Sequence, residues 1–234
     1  MFTLLNEFLK LVVEGDELYT KVKNNVSPED SEGWTIVLME RASRFMFFME
    51  CSKKDDKLFK RAIRTLSEII EKTDDLTLVT DGERRYGNFL FEICQEIVKT
   101  GKRGRPKITL KKEVKIRIKN KGSQVKKRGR KRLKYQSPVP EHPETSQNIK
   151  NQDIHANHVE AQNAALRRRN SAYRRKTNTY AKTDKGLQRT LDIQWIVHNF
   201  VKIHFTTKKV PAVALGIIHK GLSLNEVFNI QMIV

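Results

Sequence analysis

Residues 153–183 read DIHANHVEAQNAALRRRNSAYRRKTNTYAKT. The segment opens polar, carries one carboxylate at Glu160 after Asp153, and then turns strongly basic. Asp153 has the chemistry of an N-cap, because its side chain can accept a bond from an orphan N–H at a helix start. No Pro or Gly interrupts the residues that follow, so the pattern predicts one long helix. On that helix Ala156, Glu160, Ala164 and Arg167 share a face, since positions three and four apart are neighbours. Small residues beside a lone carboxylate leave room for something to approach it. Arg167, Arg168 and Arg169 begin a run of cations suited to phosphates. A lone Glu on a helix is ordinarily a solvated surface residue, so the rest of the chain decides whether this one carries chemistry.

Working outward, the charge is segregated. The 234 residues carry a net charge of +19 with 38% hydrophobic residues. Residues 1–100 hold 15 Lys+Arg against 19 Asp+Glu, whereas residues 101–134 hold 17 against 1. The pattern is an acidic-to-neutral core with basic attachments, and it points to a polyanionic partner. Cys51 and Cys94 make neither a metal-ligand spacing nor a disulfide framework, which fits a reducing cytoplasm. Residues 1–17 lack the features of a signal peptide. No apolar run approaches the ~20 residues of a membrane span.

The segments before residue 153 alternate in type. Residues 12–22, 34–40 and 45–50 read as strands, the latter two joined tightly enough to be antiparallel. Ser52 to Asp55 has the form of a capping box. The helix after it, to about Thr73, carries Leu58, Phe59, Ala62, Ile63, Leu66, Ile69 and Ile70 at three- and four-residue spacing. Residues 76–80 are a short buried strand ending at Asp81-Gly82, and residues 84–99 read as a second amphipathic helix. Residues 101–112 are a basic loop, and 113–119 alternate as a half-buried strand through Val114, Ile116 and Ile118. Residues 121–150 are basic, then Pro-rich, without a regular pattern. Residues 187–205 form a late helix whose apolar surface runs from Leu187 to Phe205. Pro211 ends it, and one or two short apolar helices follow.

The order β-β-β-α-β-α-β-α-α implies an α/β fold: a mixed five-stranded sheet with helices on both faces, a basic loop insertion and C-terminal helices. One carboxylate lies on the first strand, one just after the fourth, and one on a late helix. That arrangement resembles the ribonuclease-H-like fold of polynucleotidyl transferases. Residues 1–100 would then be the first part of the catalytic domain and 101–150 a basic DNA-binding insertion carrying strand 113–119. Residues 151–206 would supply the catalytic and C-terminal helices, and 207–234 a tail.

Five segments carry a closer likeness. They are Gly15-Asp16-Glu17-Leu18-Tyr19, the run from Thr80 to Asn88 (TDGERRYGN), the run from His158 to Arg167 (HVEAQNAALR), Arg175-Lys176-Thr177, and His204-Phe205-Thr206-Thr207-Lys208. Together they resemble the DDE transposases of the family named for the first bacterial insertion sequence. The resemblance implies Asp16, Asp81 and Glu160 as a catalytic triad holding Mg²⁺ or Mn²⁺. Bare carboxylates brought together repel, and hard divalent cations with oxygen ligands remove that conflict. The implied chemistry is cutting of insertion-element ends and joining of the freed 3′-OH to target DNA. Two rivals stand beside it: a non-catalytic basic DNA-binding relic, and a ribonuclease-H-like nuclease that cuts without joining.

Glu17 and Glu83 adjoin triad members, and on a strand Glu17 points away from Asp16. His155 and His158 are ligand-capable, but their spacing at a helix start without further ligands argues against zinc. Asn163, Arg167 and Arg168 are expected to contact phosphates or end DNA. Lys102-Arg103-Gly104-Arg105-Pro106-Lys107 matches the AT-hook pattern, in which Gly permits close backbone approach and the arginines enter a narrow A·T-rich minor groove. Arg128, Arg130, Lys131 and Arg132 form a weaker second copy. A solvated charge run binding any polyanion is the plainer reading of both. Only 15 residues precede Asp16, so the element ends are expected to be read by an upstream-frame DNA-binding protein. Double-stranded DNA, a second copy of the chain bound to it and a bacterial nucleoid-associated location complete the expectation, with no membrane partner.

Overall fold

The computed structural model describes residues 10–24, 26–99, 101, 103–119, 154–174 and 178–230. Seven strands and six helices are built among them. They run β1 (Leu11–Tyr19), β2 (Trp34–Glu40), β3 (Met46–Ser52), α1 (Asp56–Ile70), β4 (Leu76–Thr80), α2 (Arg84–Cys94), β5 (Gln95–Val98), β6 (Lys107–Leu110), β7 (Val114–Ile118), α3 (Asn157–Arg169), α4 (Asp184–Ile196), α5 (Pro211–Ala214) and α6 (Leu224–Asn229). Five strands form one mixed sheet in the order β3-β2-β1-β4-β7. β1, β2 and β3 pair antiparallel, while β4 pairs parallel with both β1 and β7. The α/β class, the five-stranded mixed sheet and the short antiparallel β2–β3 link agree with the sequence pattern.

Helices cover both faces because the sheet carries apolar residues on both. On one face Leu58, Phe59, Ala62, Ile63 and Leu66 of α1 pack with Val13, Ile36, Leu38, Leu78 and Ile116. Fully burying each such side chain contributes about 1.5–3 kcal/mol, an upper figure because the unfolded chain already buries part of it. On the other face Val159 and Leu166 of α3 and Leu187 and Leu191 of α4 pack with Leu18, Val37, Met39 and Met46. Gly33, at the entry to β2, lies so close to β1 that a Cβ there would stand 2.1 Å from the Thr20 carbonyl oxygen. Only glycine fits that approach.

Several local expectations are corrected. The N-cap of α1 is Asp55, whose carboxylate accepts from Leu58 N–H, and Ser52 belongs to β3 instead. α2 stops at Cys94, and residues 95–98 pair with β6 as an antiparallel hairpin. Its Ile97, within the span expected to be an amphipathic helix, is 66% exposed. Strand β7 is covered on both faces, with Lys115 and Arg117 buried and Lys115 paired to Asp75 at 2.7 Å. Helix α3 starts at Asn157 after Ala156 at the N-cap and breaks at Asn170 into a short 3₁₀ turn, so the single long helix does not occur; the cap expected at Asp153 lies outside the described residues. The late helix ends in a wide turn at Val197–Val201, and Phe205 lies beyond it, 84% exposed. Both cysteines are buried and free, and burial pushes Cys51 up to about 12 and Cys94 to about 11. Among the described residues no helix is long and apolar enough to cross a membrane.

Candidate functional site

The C-terminal ends of the parallel strands carry the acidic residues. β1 and β4 run in register through Glu14↔Val79. A Cβ on Gly15 would stand 3.4 Å from Thr80 Cγ2, so the two strands stay side by side to the end of β4. Two steps beyond the last pair come Asp16 on β1 and Asp81 just after β4. Gly82 then takes a φ of +118°, a backbone that side chains rarely adopt, and turns the chain into α2.

Helix α3 crosses the other side of β1. Its buried Asn163 donates from Nδ2 to Asp16 Oδ2 at 2.6 Å, while Asp16 Oδ1 accepts the Glu17 N–H at 2.9 Å. Three residues earlier on the helix, Glu160 accepts a bond from Lys119 Nζ at 2.9 Å. Lys119 in turn donates its N–H to the Thr80 carbonyl at 2.8 Å, one residue before Asp81. Asp16, Asp81 and Glu160 therefore gather at one end of the sheet, with Glu160 bound by an ammonium group.

Glu17 lies on the opposite face of β1, as strand alternation requires. It pairs with Lys54 at 3.3 Å, and Lys54 also reaches Glu83 at 3.5 Å. Burial raises the Glu17 carboxyl against the pull of Lys54, and the charges of Asp81 and Asp16 add to the rise. Negative charge is thus concentrated where the two strands end. The Arg85 guanidinium bonded to Glu83 holds that carboxyl down at about 2.

Glu14 is the residue that the sequence reading passed over. It shares a face with Asp16 and is fully buried. Its carboxylate accepts the backbone N–H groups of His158 and Val159 at 2.9 and 3.0 Å, which serve the start of α3 where Ala156 offers no side-chain cap. Arg41 Nε and His158 Nδ1 each approach Glu14 Oε1 at 2.7 Å. Burial alone would raise this carboxyl; the bonds from His158 and Val159 and the Arg41 charge outweigh it and hold it below the usual range. With His155 Nδ1 at 3.9 Å from Glu14 Oε1, the side chains of Glu14, His155 and His158 bring their ligand atoms within 4.8 Å of one another. That group could hold a metal ion, and Glu14 is the further ligand that the histidine spacing lacked. Asp16, Asp81 and Glu160 do not come together as such a group in this structure, in which Asn163 holds Asp16 and Lys119 holds Glu160.

The other expected DNA contacts divide. Asn163 is 1% exposed and faces Asp16, so a direct DNA contact by this side chain is corrected to a role within the protein. Arg167 lines a cleft of about 450 Å³ with Tyr19, Trp34 and Tyr180, and Arg168 is exposed. Arg103 and Arg105 are exposed in the turn between β5 and β6, beside Gly104 at φ +135°, and Lys107 opens β6. Lys102, Arg128, Arg130, Lys131 and Arg132 lie outside the described residues.

Comparison of the chain with protein-family models, with curated proteins and with solved structures finds no match in any of the three.

Proposed function

We propose that this chain is the catalytic domain of a DNA transposase of the insertion-sequence-one-like DDE family, with a ribonuclease-H-like core. One observation carries the reading: Asp16 on β1 and Asp81 just past the end of β4 lie on adjoining parallel strands, and Glu160 sits on the helix that packs across β1. Ligands of open α/β sheets bind outside the carboxyl ends of the strands. The donor chemistry suits Mg²⁺ or Mn²⁺, being three carboxylates, two of which, Asp16 and Asp81, lie near enough to act on the charge of Glu17. Asp16, Asp81 and Glu160 would hold the ions, which when bound supply Lewis acidity and a more acidic water.

The chain's own groups position and neutralise. Asn163 fixes the Asp16 carboxylate, and Glu14 with Arg41 fixes the start of α3 and so the height of Glu160 over β1. In the first step a water oxygen attacks phosphorus, the P–O3′ bond breaks, and the element end is left with a 3′-OH. In the second that 3′-OH attacks a target phosphodiester, forming one ester bond and releasing one target 3′-OH. The proposed partners are element-end and target DNA, a second copy of the chain and an upstream-frame DNA-binding protein, within the bacterial cytoplasm.

The test is strand cleavage and transfer on DNA carrying candidate element ends, with Mg²⁺ or Mn²⁺ and with the upstream-frame product added. Wild-type protein is expected to yield cut and joined products, and Asp81→Asn and Glu160→Gln to lose at least about a hundredfold in rate. Equal product from wild type and both variants would sink the triad. The ion pair between Lys119 and Glu160 favours a second reading, a non-catalytic DNA-binding protein, and binding without any metal-dependent product would select it.

A further inference from the structure

A cleft of about 570 Å³ opens on the same helix that carries Glu160, walled there by Ala161 and Ala165. Arg169 closes the same helix, Arg44, Lys202 and Lys208 reach the cleft from other segments, and no carboxylate lines it. Four cations without an acid select an anion. The volume is far more than an inorganic phosphate needs and falls within the range that holds a larger organic ligand. His198 and His204 form part of the wall. His198 donates from Nε2 to the Arg44 carbonyl at 2.8 Å, which ties the wall to β2–β3, and burial keeps its ring neutral. The lining therefore offers flat uncharged surface as well as positive charge.

Phe205 stands at this cleft, 84% exposed. It is held on a tight turn: His204 N–H bonds the Lys209 carbonyl at 2.9 Å, Lys208 N–H bonds the His204 carbonyl at 2.9 Å, and Lys208 takes a φ of +55°. Lys208 Nζ lies 4.1 Å over the ring. A large apolar ring kept in water on an ordered turn, with a cation on it and a basic cleft beside it, is the chemistry of a stacking platform. Aromatic rings next to a positive groove stack single-stranded bases, and apolar wedges part them from the duplex.

We propose that this cleft receives an unpaired nucleotide of a DNA strand, its base against Phe205 and its phosphate among Arg44, Arg169, Lys202 and Lys208. The assignment rests on the DNA reading of the site and narrows it: the preferred substrate is an end whose last nucleotides have left the duplex. A paired base is buried in the helix stack and cannot enter a pocket until it is extruded.

The test compares two labelled duplexes of one sequence, one blunt and one with a short single-stranded extension bearing 2-aminopurine. Affinity is read by anisotropy and stacking by 2-aminopurine fluorescence, with the full chain. Wild type is expected to bind the extended duplex about tenfold more tightly and to change the fluorescence of the unpaired base. Phe205→Ala, a change on an exposed ring that leaves the core untouched, is expected to abolish both the preference and the fluorescence change. Arg169→Ala is expected to lower affinity for the extended duplex. Because the readout is a ratio of two duplexes, a general loss of phosphate contact cancels. Equal binding of both duplexes by wild type, or an unchanged preference in Phe205→Ala, overturns the pocket and leaves the transposase reading standing. No binding to either duplex overturns both.

Discussion

Glu14 and Asp16 sit two residues apart on one strand, and burial sets them to different work. Glu14 is sealed beneath α3 and answers backbone N–H groups and Arg41, whereas Asp16, two residues on and beyond the last β1–β4 pair, has one oxygen on Asn163. The alternation of β1 shows that the two share a face, so that much was readable from the sequence. That Glu14 caps a helix beginning 143 positions later was not, since His158 carries no local mark of a buried partner. His198 leads to a pH prediction. Burial lowers it from the ordinary value of 6.5 to about 4, so the folded state keeps it neutral while the unfolded chain binds a proton below 6.5. Stability from this group is therefore complete above pH 6.5 and declines as pH falls toward 4, by roughly 3 kcal/mol at the limit. Urea unfolding at pH 7 and pH 4.5 checks this: His198→Gln should lose less stability across that interval than wild type. An equal loss in both proteins would remove His198 from the acid response.

Among the elements, the hairpin of β5 and β6 is the clearest departure from the sequence pattern. Ile93 and Ile97 repeat at helical spacing, and no Gly or Pro follows Gly87 within residues 84–99. Pairing decided it: Gln95 to Val98 found Lys107 to Leu110, and the ladder bonds ended the helix at Cys94. The consequence is that Arg103-Gly104-Arg105 is held in a hairpin turn, a raised presentation suited to a groove. Arg103→Ala with Arg105→Ala is expected to remove any preference for A·T-rich over G·C-rich duplex, about fivefold or more in Kd ratio, while the fold is unchanged by circular dichroism. A double variant that weakens both duplexes equally would reduce the segment to plain phosphate binding. Helix α1 was legible almost to its ends because its apolar stripe follows the 3.6-residue period without competition from a pairing strand.

For the whole molecule, the segregation of charge leads to a prediction about association. An acidic-to-neutral body carrying basic segments should bind duplex DNA with a steep salt dependence, a slope of log K on log salt of about −5 or steeper, as each neutralised phosphate releases counterions. Titration across salt concentrations measures it, and a slope shallower than about −2 would contradict the polyanion reading. Composition, strand alternation and helical stripes depend on neighbours a few residues apart, whose spacing the backbone geometry sets. The charge layout, the five strands β1, β2, β3, β4 and β7 of the main sheet, and α1 were therefore present in the chain read alone. The metal-competent set of Glu14, His155 and His158, the clasp of Lys119 on Glu160 and the basic cleft at Phe205 join residues from distant segments. Those came into being only when α3 was laid across β1, because a contact between remote side chains is fixed by packing and not by any local period.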